Sequence, residues 1–312
     1  MFKWKIAIIN EETGEIKAYD TVKQAIGNIN RYIVEVDGKY GLIDEKGNEL
    51  CDIKYDEEIS NHHYSGRFIV ILNGKHGFIN LDGKEICKPK YDKVYFYSNG
   101  FATVKLNNKY GFIDLEGNEI CDIEYENTEH FHNMRAPVKK NGKWGIIDSQ
   151  GNILCDFKYD EIKYFTGDLW IVRNDDKRYS LLNEKFEEIT PFKYTFIEIP
   201  FDNSDIIKVC IGFKNGFITR SGKEIIPIIY DYSYDLGGDY PIIAEKENKS
   251  GIISRDGKVL VDFKYDHISP FDDNGYAELT QYRETRTMKD TFRSIKWADV
   301  NGKIYDIRPT KK

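Results

Sequence analysis

Seven times along the chain a core of three residues returns: Tyr40-Gly41-Leu42, His76-Gly77-Phe78, Tyr110-Gly111-Phe112, Trp144-Gly145-Ile146, Tyr179-Ser180-Leu181, Asn215-Gly216-Phe217 and Ser250-Gly251-Ile252. Successive cores lie 34 to 36 residues apart. A Tyr follows the first residue of each core by 15: Tyr55, Tyr91, Tyr125, Tyr159, Tyr194, Tyr230 and Tyr265. The block from core to Tyr is therefore fixed in register, and length varies only in the connector behind it. Such a period marks a repeat architecture, in which one unit cannot bury its own apolar face and stacks on its neighbours.

Within each block the residues read as antiparallel strands. Asp37-Gly38, Asn73-Gly74, Asn107-Asn108 and Asn141-Gly142 precede the cores as two-residue turns whose twist matches a hairpin. After the core comes Asp-x-x-Gly, as from Asp44 to Gly47 and from Asp148 to Gly151, a type I turn closed by a left-handed Gly. The third strand alternates: Cys121, Ile123 and Tyr125 share one face, Asp122 and Glu124 the other. Each repeat is thus three short strands, with room for a fourth in the connector. The fifth repeat departs from the rest, with Ser180 and Phe186 where the others carry glycines.

The predicted organisation is an N-terminal cap over 1–31, seven repeats over 32–275 and an irregular C-terminal cap or closing repeat over 276–312. Residues 5–16 resemble one hairpin of a repeat, with Gly14 at its turn. Asp20 and Thr21 are expected to cap a short helix with Val22, Ala25, Ile26 and Ile29 on one face. Trp297 to Ile307 reads as a compressed last repeat beyond an irregular, polar stretch from Tyr282 to Phe292. Abundant aromatics, 22 Tyr and 18 Phe against 3 Met and 8 Pro, lean towards β-structure.

The stretch "NGKWGIIDSQGNILCDFKYDEI", Asn141 to Ile162, resembles the bacterial WG-repeat, or KWG-repeat, family. The resemblance runs from about Tyr32 to Phe271, with the diagnostic pair literal at Trp144-Gly145. Membership implies an all-β array and an interaction role, and it carries over no catalytic residue. Two architectures fit repeats of about 35 residues with three to four short antiparallel strands each: a propeller-like ring and an open β-solenoid.

Candidate chemistry was weighed position by position. Cys51, Cys87, Cys121 and Cys155 share one repeat position that holds Ile226 and Val261 later, so a core role outweighs metal or redox use. His62 and His132 each lie seven residues after a repeat Tyr, with His63 and His130 nearby, and are expected as solvated connector residues. An acid follows most repeat tyrosines: Asp56, Asp92, Glu126, Asp160, Asp231 and Asp266. Catalysis needs carboxylates tuned apart, whereas copied ones suit turn amides. No P-loop, nucleophile elbow, dinucleotide motif or HExxH helix is present, so no enzyme and no cofactor or metal is expected.

The aromatic connectors "YDKVYFYSNGF" and "YDEIKYFTGDLW" carry the functional expectation. Tyr97, Phe131, Phe165 and Phe271 fall six residues after a repeat Tyr and read as core. Tyr95, Phe96, Tyr164 and Trp170 are the candidate partner-binding residues. From Arg283 to Lys312 the tail is locally basic and is expected to be a solvated face. Net charge of −7 argues against a nucleic-acid surface, and no run approaches the roughly 20 apolar residues of a membrane span. The expectation is a monomeric, cytoplasmic, non-enzymatic scaffold binding another protein, as an inhibitor of immunity type or a specificity subunit. The alternative is carbohydrate or cell-wall binding, because the aromatic and "NGK" rhythm is similar to choline- and glucan-binding repeats.

Overall fold

Two-residue turns set the geometry of six of the sheets. Asn73 and Gly74 both take positive φ, 53° and 70°, and join Arg67–Leu72 to Lys75–Asn80 as an antiparallel hairpin. The computed structural model describes residues 5–25, 30–62, 66–167, 169–198, 205–284 and 291–309. Every regular element among them is a β-strand. A two-stranded hairpin, Ile6–Ile9 with Ile16–Tyr19, is followed by eight antiparallel sheets of three or four strands, each ordered across the sheet as along the chain.

The connector supplies the fourth strand. A sheet opens just after one repeat Tyr and closes at the next. The second sheet, for example, runs through Ser60–His62, Arg67–Leu72, Lys75–Asn80 and Glu85–Tyr91. In the third and fifth sheets the closing segment is held by isolated bridges, Tyr110 to Tyr125 and Tyr179 to Tyr194 among them.

Two expectations about the ends are corrected. The helix predicted from Asp20 is a strand, Thr21–Gln24, paired with Tyr32 to Glu35. Asp20 caps no helix because its carboxylate accepts a hydrogen bond from the Asp37 N–H at 2.8 Å; Ile26 and Ile29 lie outside the described residues. The C-terminal segment is regular where it is described: Tyr276–Glu284 and Thr291–Asp299 pair residue for residue in the eighth sheet. Alternation of buried Ala277 and Leu279 with polar neighbours drives that strand.

Why the core residue is Gly becomes plain in the closing strand. Tyr91 pairs with His76 and Cys87 with Phe78, so four steps on the closing strand answer two on its partner. The surplus bulges over Gly77. A Cβ there would lie 2.6 Å from both the Cys87 carbonyl oxygen and the Pro89 nitrogen, and Gly216 and Gly251 are crowded in the same way. In the eighth sheet Lys296 holds this position, paired with Leu279, and the closing strand pairs Ile304 with Ala298 and Tyr305 with Trp297 and ends before reaching it. That closing strand is two residues long and runs straight.

The chain divides into two compact units, Met1–Lys158 and Tyr159–Lys312. Within each unit the apolar cores lie between consecutive sheets. Phe78, Cys87 and Tyr91 of the second sheet pack with Val94, Tyr97 and Val104 of the third, and Ile243, Ile252 and Tyr265 of the seventh pack with Ile268 and Leu279 of the eighth. The turn after each core also approaches the preceding sheet: a Cβ on Gly83 would sit 2.2 Å from the Leu50 carbonyl oxygen.

The acids beside the repeat tyrosines tie consecutive sheets together. Asp92 accepts from the Asn107 N–H of the next hairpin turn at 2.6 Å and from Lys75 Nζ of its own sheet at 2.5 Å. Asp266 accepts from the Tyr282 N–H of the next sheet's second strand and from Lys249 Nζ, both at 2.6 Å. Asp56 engages Lys39 and the Asn73 N–H, and Asp231 engages Lys214 and the Glu247 N–H. Their lysine partners first, then the backbone amides, hold all four carboxyls below the usual range.

Gly77→Ala should lower stability by about 1–3 kcal/mol through overpacking. Gly74→Asn should change it by less than about 0.5 kcal/mol, since Asn tolerates positive φ and Asn108 already holds the equivalent turn position at φ 60°. Urea denaturation compares the two, and equal losses would contradict the bulge account.

The depressed carboxyls also set a pH dependence. As pH falls, the unfolded chain takes up protons before the folded one does. Their contribution is complete above about pH 5 and disappears as pH drops through about 4 towards the folded values. The urea midpoint should accordingly be level from neutral to mildly acid pH and then decline. Asp92→Asn should lower it at neutral pH and shrink the decline.

Candidate functional site

The eight sheets leave clefts where an opening strand lies against the preceding sheet. The larger, about 330 Å³, lies between the sixth and seventh sheets. Ile206 and Lys208 share a face of the sixth sheet's second strand, Ile206–Ile211, and Phe217 is the cross-strand partner of Lys208. Across the cleft runs Tyr232–Tyr234, the opening strand of the seventh sheet. Ser233 pairs with Ala244, which packs in one core with Ile206 and Phe217, so strand alternation turns Ser233 towards the sixth sheet. Tyr232 and Tyr234 alternate outward and are 56% and 38% exposed.

Ion pairs rim this cleft. Lys208 Nζ lies 3.0 Å from the Glu198 carboxylate and donates to the Ser233 carbonyl at 3.2 Å. Asp235 accepts from Arg255 Nη1 at 2.6 Å and from the Gly237 N–H at 2.9 Å. The Ser233 hydroxyl, by contrast, is buried and finds no hydrogen-bond partner among the described residues.

A smaller cleft, about 200 Å³, occupies the equivalent place between the third and fourth sheets, with Tyr95 and Thr103 on one side and Thr128 and His130 on the other. Thr128 and Ser233 hold the same repeat position, three residues after the repeat Tyr. Val22, Val94, Ile162, Ile197 and Ile268 stand there in five other sheets. In the second sheet the connector is one residue longer and buried Ile59 takes the place. Both clefts thus open where a small hydroxyl residue replaces a branched apolar one.

The sequence-derived candidates separate. Tyr95 lines the smaller cleft, half-buried, with Lys93 Nζ 4.8 Å from its ring centre. Phe96 is 41% exposed. Tyr164 is half-buried, and its hydroxyl donates to the Gly167 carbonyl at 3.1 Å. Trp170 is a correction: at 1% exposure it is core, packed edge-on against Tyr164 at 5.2 Å. It belongs to the middle strand of the fifth sheet, Leu169–Arg173, whose first four residues are all buried. Tyr97, Phe131, Phe165 and Phe271 are buried as expected.

Sequence reasoning passed over Tyr232, Ser233 and Tyr234. Their signal was "YDYSYDLGGDY", Tyr230 to Tyr240, an aromatic connector as dense as those singled out. The ladder cysteines form no disulfide among the described residues, and burial pushes Cys51, Cys87 and Cys121 up to about 11. His63 lies outside the described residues, and His130 borders the smaller cleft. Among the described residues no group of His, Cys, Asp and Glu is placed to hold a metal ion, and no helix is long and apolar enough to cross a membrane.

Fold and clefts together define a tandem-repeat all-β protein with junctions of variable lining. A family model for the WG-containing repeat matches residues 40–75, 77–110, 110–144, 144–177, 216–249 and 251–280. The chain belongs to the WG-repeat family. The unmatched interval, 178–215, contains the fifth core, where Ser180 and Phe186 replace the glycines.

No curated protein matches the chain. Among solved structures, Hsv2p of Kluyveromyces lactis is similar at 10% identity and TM-score 0.34, over 90% of this chain and 98% of that one. BamB from Moraxella catarrhalis is similar at 12% identity and TM-score 0.29, over 78% and 90%. The WD40 beta propeller domain of Doa1 is similar at 9% identity and TM-score 0.27, over 73% and 90%.

Trp170→Ala should cost about 3–5 kcal/mol as a large buried ring is lost, whereas Phe96→Ala should cost less than about 1 kcal/mol. Thermal or urea unfolding of the two variants checks the assignment of one as core and the other as surface.

Proposed function

We propose that the protein is a non-catalytic interaction scaffold that binds another protein through the opening strands and connectors of its sheets. What supports this reading is a constant frame carrying variable positions. Turns, bulges and inter-sheet cores repeat, while cleft linings differ: Lys208 and Tyr232 in one cleft stand where Thr103 and Asn127 stand in the other. The observation that carries it is the exposure of Tyr232 and Tyr234 on a hydrogen-bonded strand beside a cleft. Rigid aromatic side chains give a partner large contact area at low entropic cost.

On this reading Asp56, Asp92, Asp231 and Asp266 are structural, because each is committed to a lysine and a backbone amide. The role we propose is that of an inhibitor of immunity type or a specificity subunit, acting as a monomer with its repeats arranged as in a propeller. Cysteines that form no disulfide among the described residues fit a reducing, cytoplasmic setting.

Capture from a lysate of the native host, read by mass spectrometry, tests the proposal. The wild-type chain should enrich one protein at near-equal molar amount. The double variant Tyr232→Ala, Tyr234→Ala should retain about tenfold less of it, with an unchanged melting temperature. Absence of any enriched protein, or equal capture by the variant, would count against the scaffold and this surface respectively.

A further inference from the structure

We infer that the cleft between the sixth and seventh sheets is an anchor pocket for one neutral aromatic side chain, Trp or Tyr, of the protein partner; the inference rests on the scaffold reading. Its volume, about 330 Å³, lies at the small end of ligand sites, which span roughly 300–1,000 Å³. That suits one large side chain rather than an extended molecule.

The chemistry of the walls narrows the occupant. Phe217, Ile206 and Leu236 make the lining apolar, and Tyr232 and Tyr234 flank Ser233 on the opening strand. The charges at the rim are committed to each other: Lys208 with Glu198 and the Ser233 carbonyl, Asp235 with Arg255. A charged occupant would have to displace one of these pairs in a partly desolvated site. A saccharide would need several hydrogen-bonding groups, and the rim holds its own in use. A ring with an apolar body and one polar edge asks for one partner only.

Ser233 provides it. The residue is 2% exposed, faces the sixth sheet, and its hydroxyl has no hydrogen-bond partner among the described residues. Its repeat position is otherwise filled by branched apolar residues except for Thr128 at the other cleft. A polar group placed where the fold accepts Val or Ile contributes nothing to packing. With a Trp N–H or Tyr O–H seated in the cleft, and a small adjustment of the opening strand, the serine oxygen would gain the partner it lacks.

The test uses ligand-observed NMR with N-acetyl-tryptophanamide as the probe and N-acetylglucosamine as the comparison, on the full chain. The amide should bind with a Kd on the order of 1 mM, as expected for a single anchor residue. Ser233→Val restores the residue type of the other sheets, so it should melt at the same or a higher temperature yet bind the probe about tenfold more weakly. Thr128→Val, at the other cleft, should leave binding unchanged. If Ser233→Val folds poorly, Ser233→Ala removes the hydroxyl without adding volume and should still weaken binding.

Unchanged binding in a folded Ser233 variant, or a preference for N-acetylglucosamine, would overturn the inference. Partner capture that survives Ser233→Val overturns the anchor pocket and leaves the scaffold standing. Probe binding with no captured partner overturns the scaffold and leaves the cleft as an aromatic-binding site.

Discussion

Everything regular in this chain depends on the passage of a closing strand across a residue with no side chain. At Gly77 the bulge of Glu85–Tyr91 comes so near that a single added carbon would overlap the Cys87 carbonyl and the Pro89 nitrogen. Because the surplus residues are accommodated there, the repeat Tyr returns to register opposite the first core residue, as Tyr91 does opposite His76. That return buries the Tyr ring against the next sheet and delivers the following acid to the next hairpin turn. The constant offset of 15 between core and Tyr is the sequence trace of this geometry.

Two exceptions test the constraint within the molecule. In the fifth repeat Ser180 carries a Cβ, and its hydroxyl bonds the Thr190 carbonyl while the Thr190 hydroxyl accepts from the Leu181 N–H. The closing segment there is held by isolated bridges, as it also is over Gly111 in the third sheet. In the eighth sheet Lys296 takes the place of the glycine, and the closing strand is cut to two residues, Ile304–Tyr305, that stop short of it. Either the crossing strand bends over a glycine, or side chains take over its bonds, or it shortens.

Much of this was legible in the residues. Period, turns, strand alternation and the core role of the cysteines all follow from patterns copied seven times, where local chemistry and fold agree. What misled was frame. Tyr and core lie in one block of sequence, but the sheet borrows its opening strand from the preceding connector. Trp170 therefore read as connector although it begins a central strand, and Thr21 to Gln24 read as a helix because Asp20 resembles a cap. The clefts were hidden for another reason. Ser233 and Thr128 are unremarkable residues in isolation, and become informative only against the branched apolar residues that share their place in three dimensions.

The borrowed strand has a mechanical consequence. Each opening strand is continuous through the backbone with the repeat before it, yet hydrogen-bonded to the sheet after it, as Tyr232–Tyr234 is to Ile242–Lys246. Consecutive sheets meet at the repeat Tyr and the acid behind it, as at Tyr91 and Asp92 between Glu85–Tyr91 and Lys93–Val94. A chain cut between an opening strand and the rest of its sheet would leave two fragments still zipped together by that strand. Gain or loss of one whole repeat by recombination, wherever the breakpoint falls, would leave the sheets on either side complete.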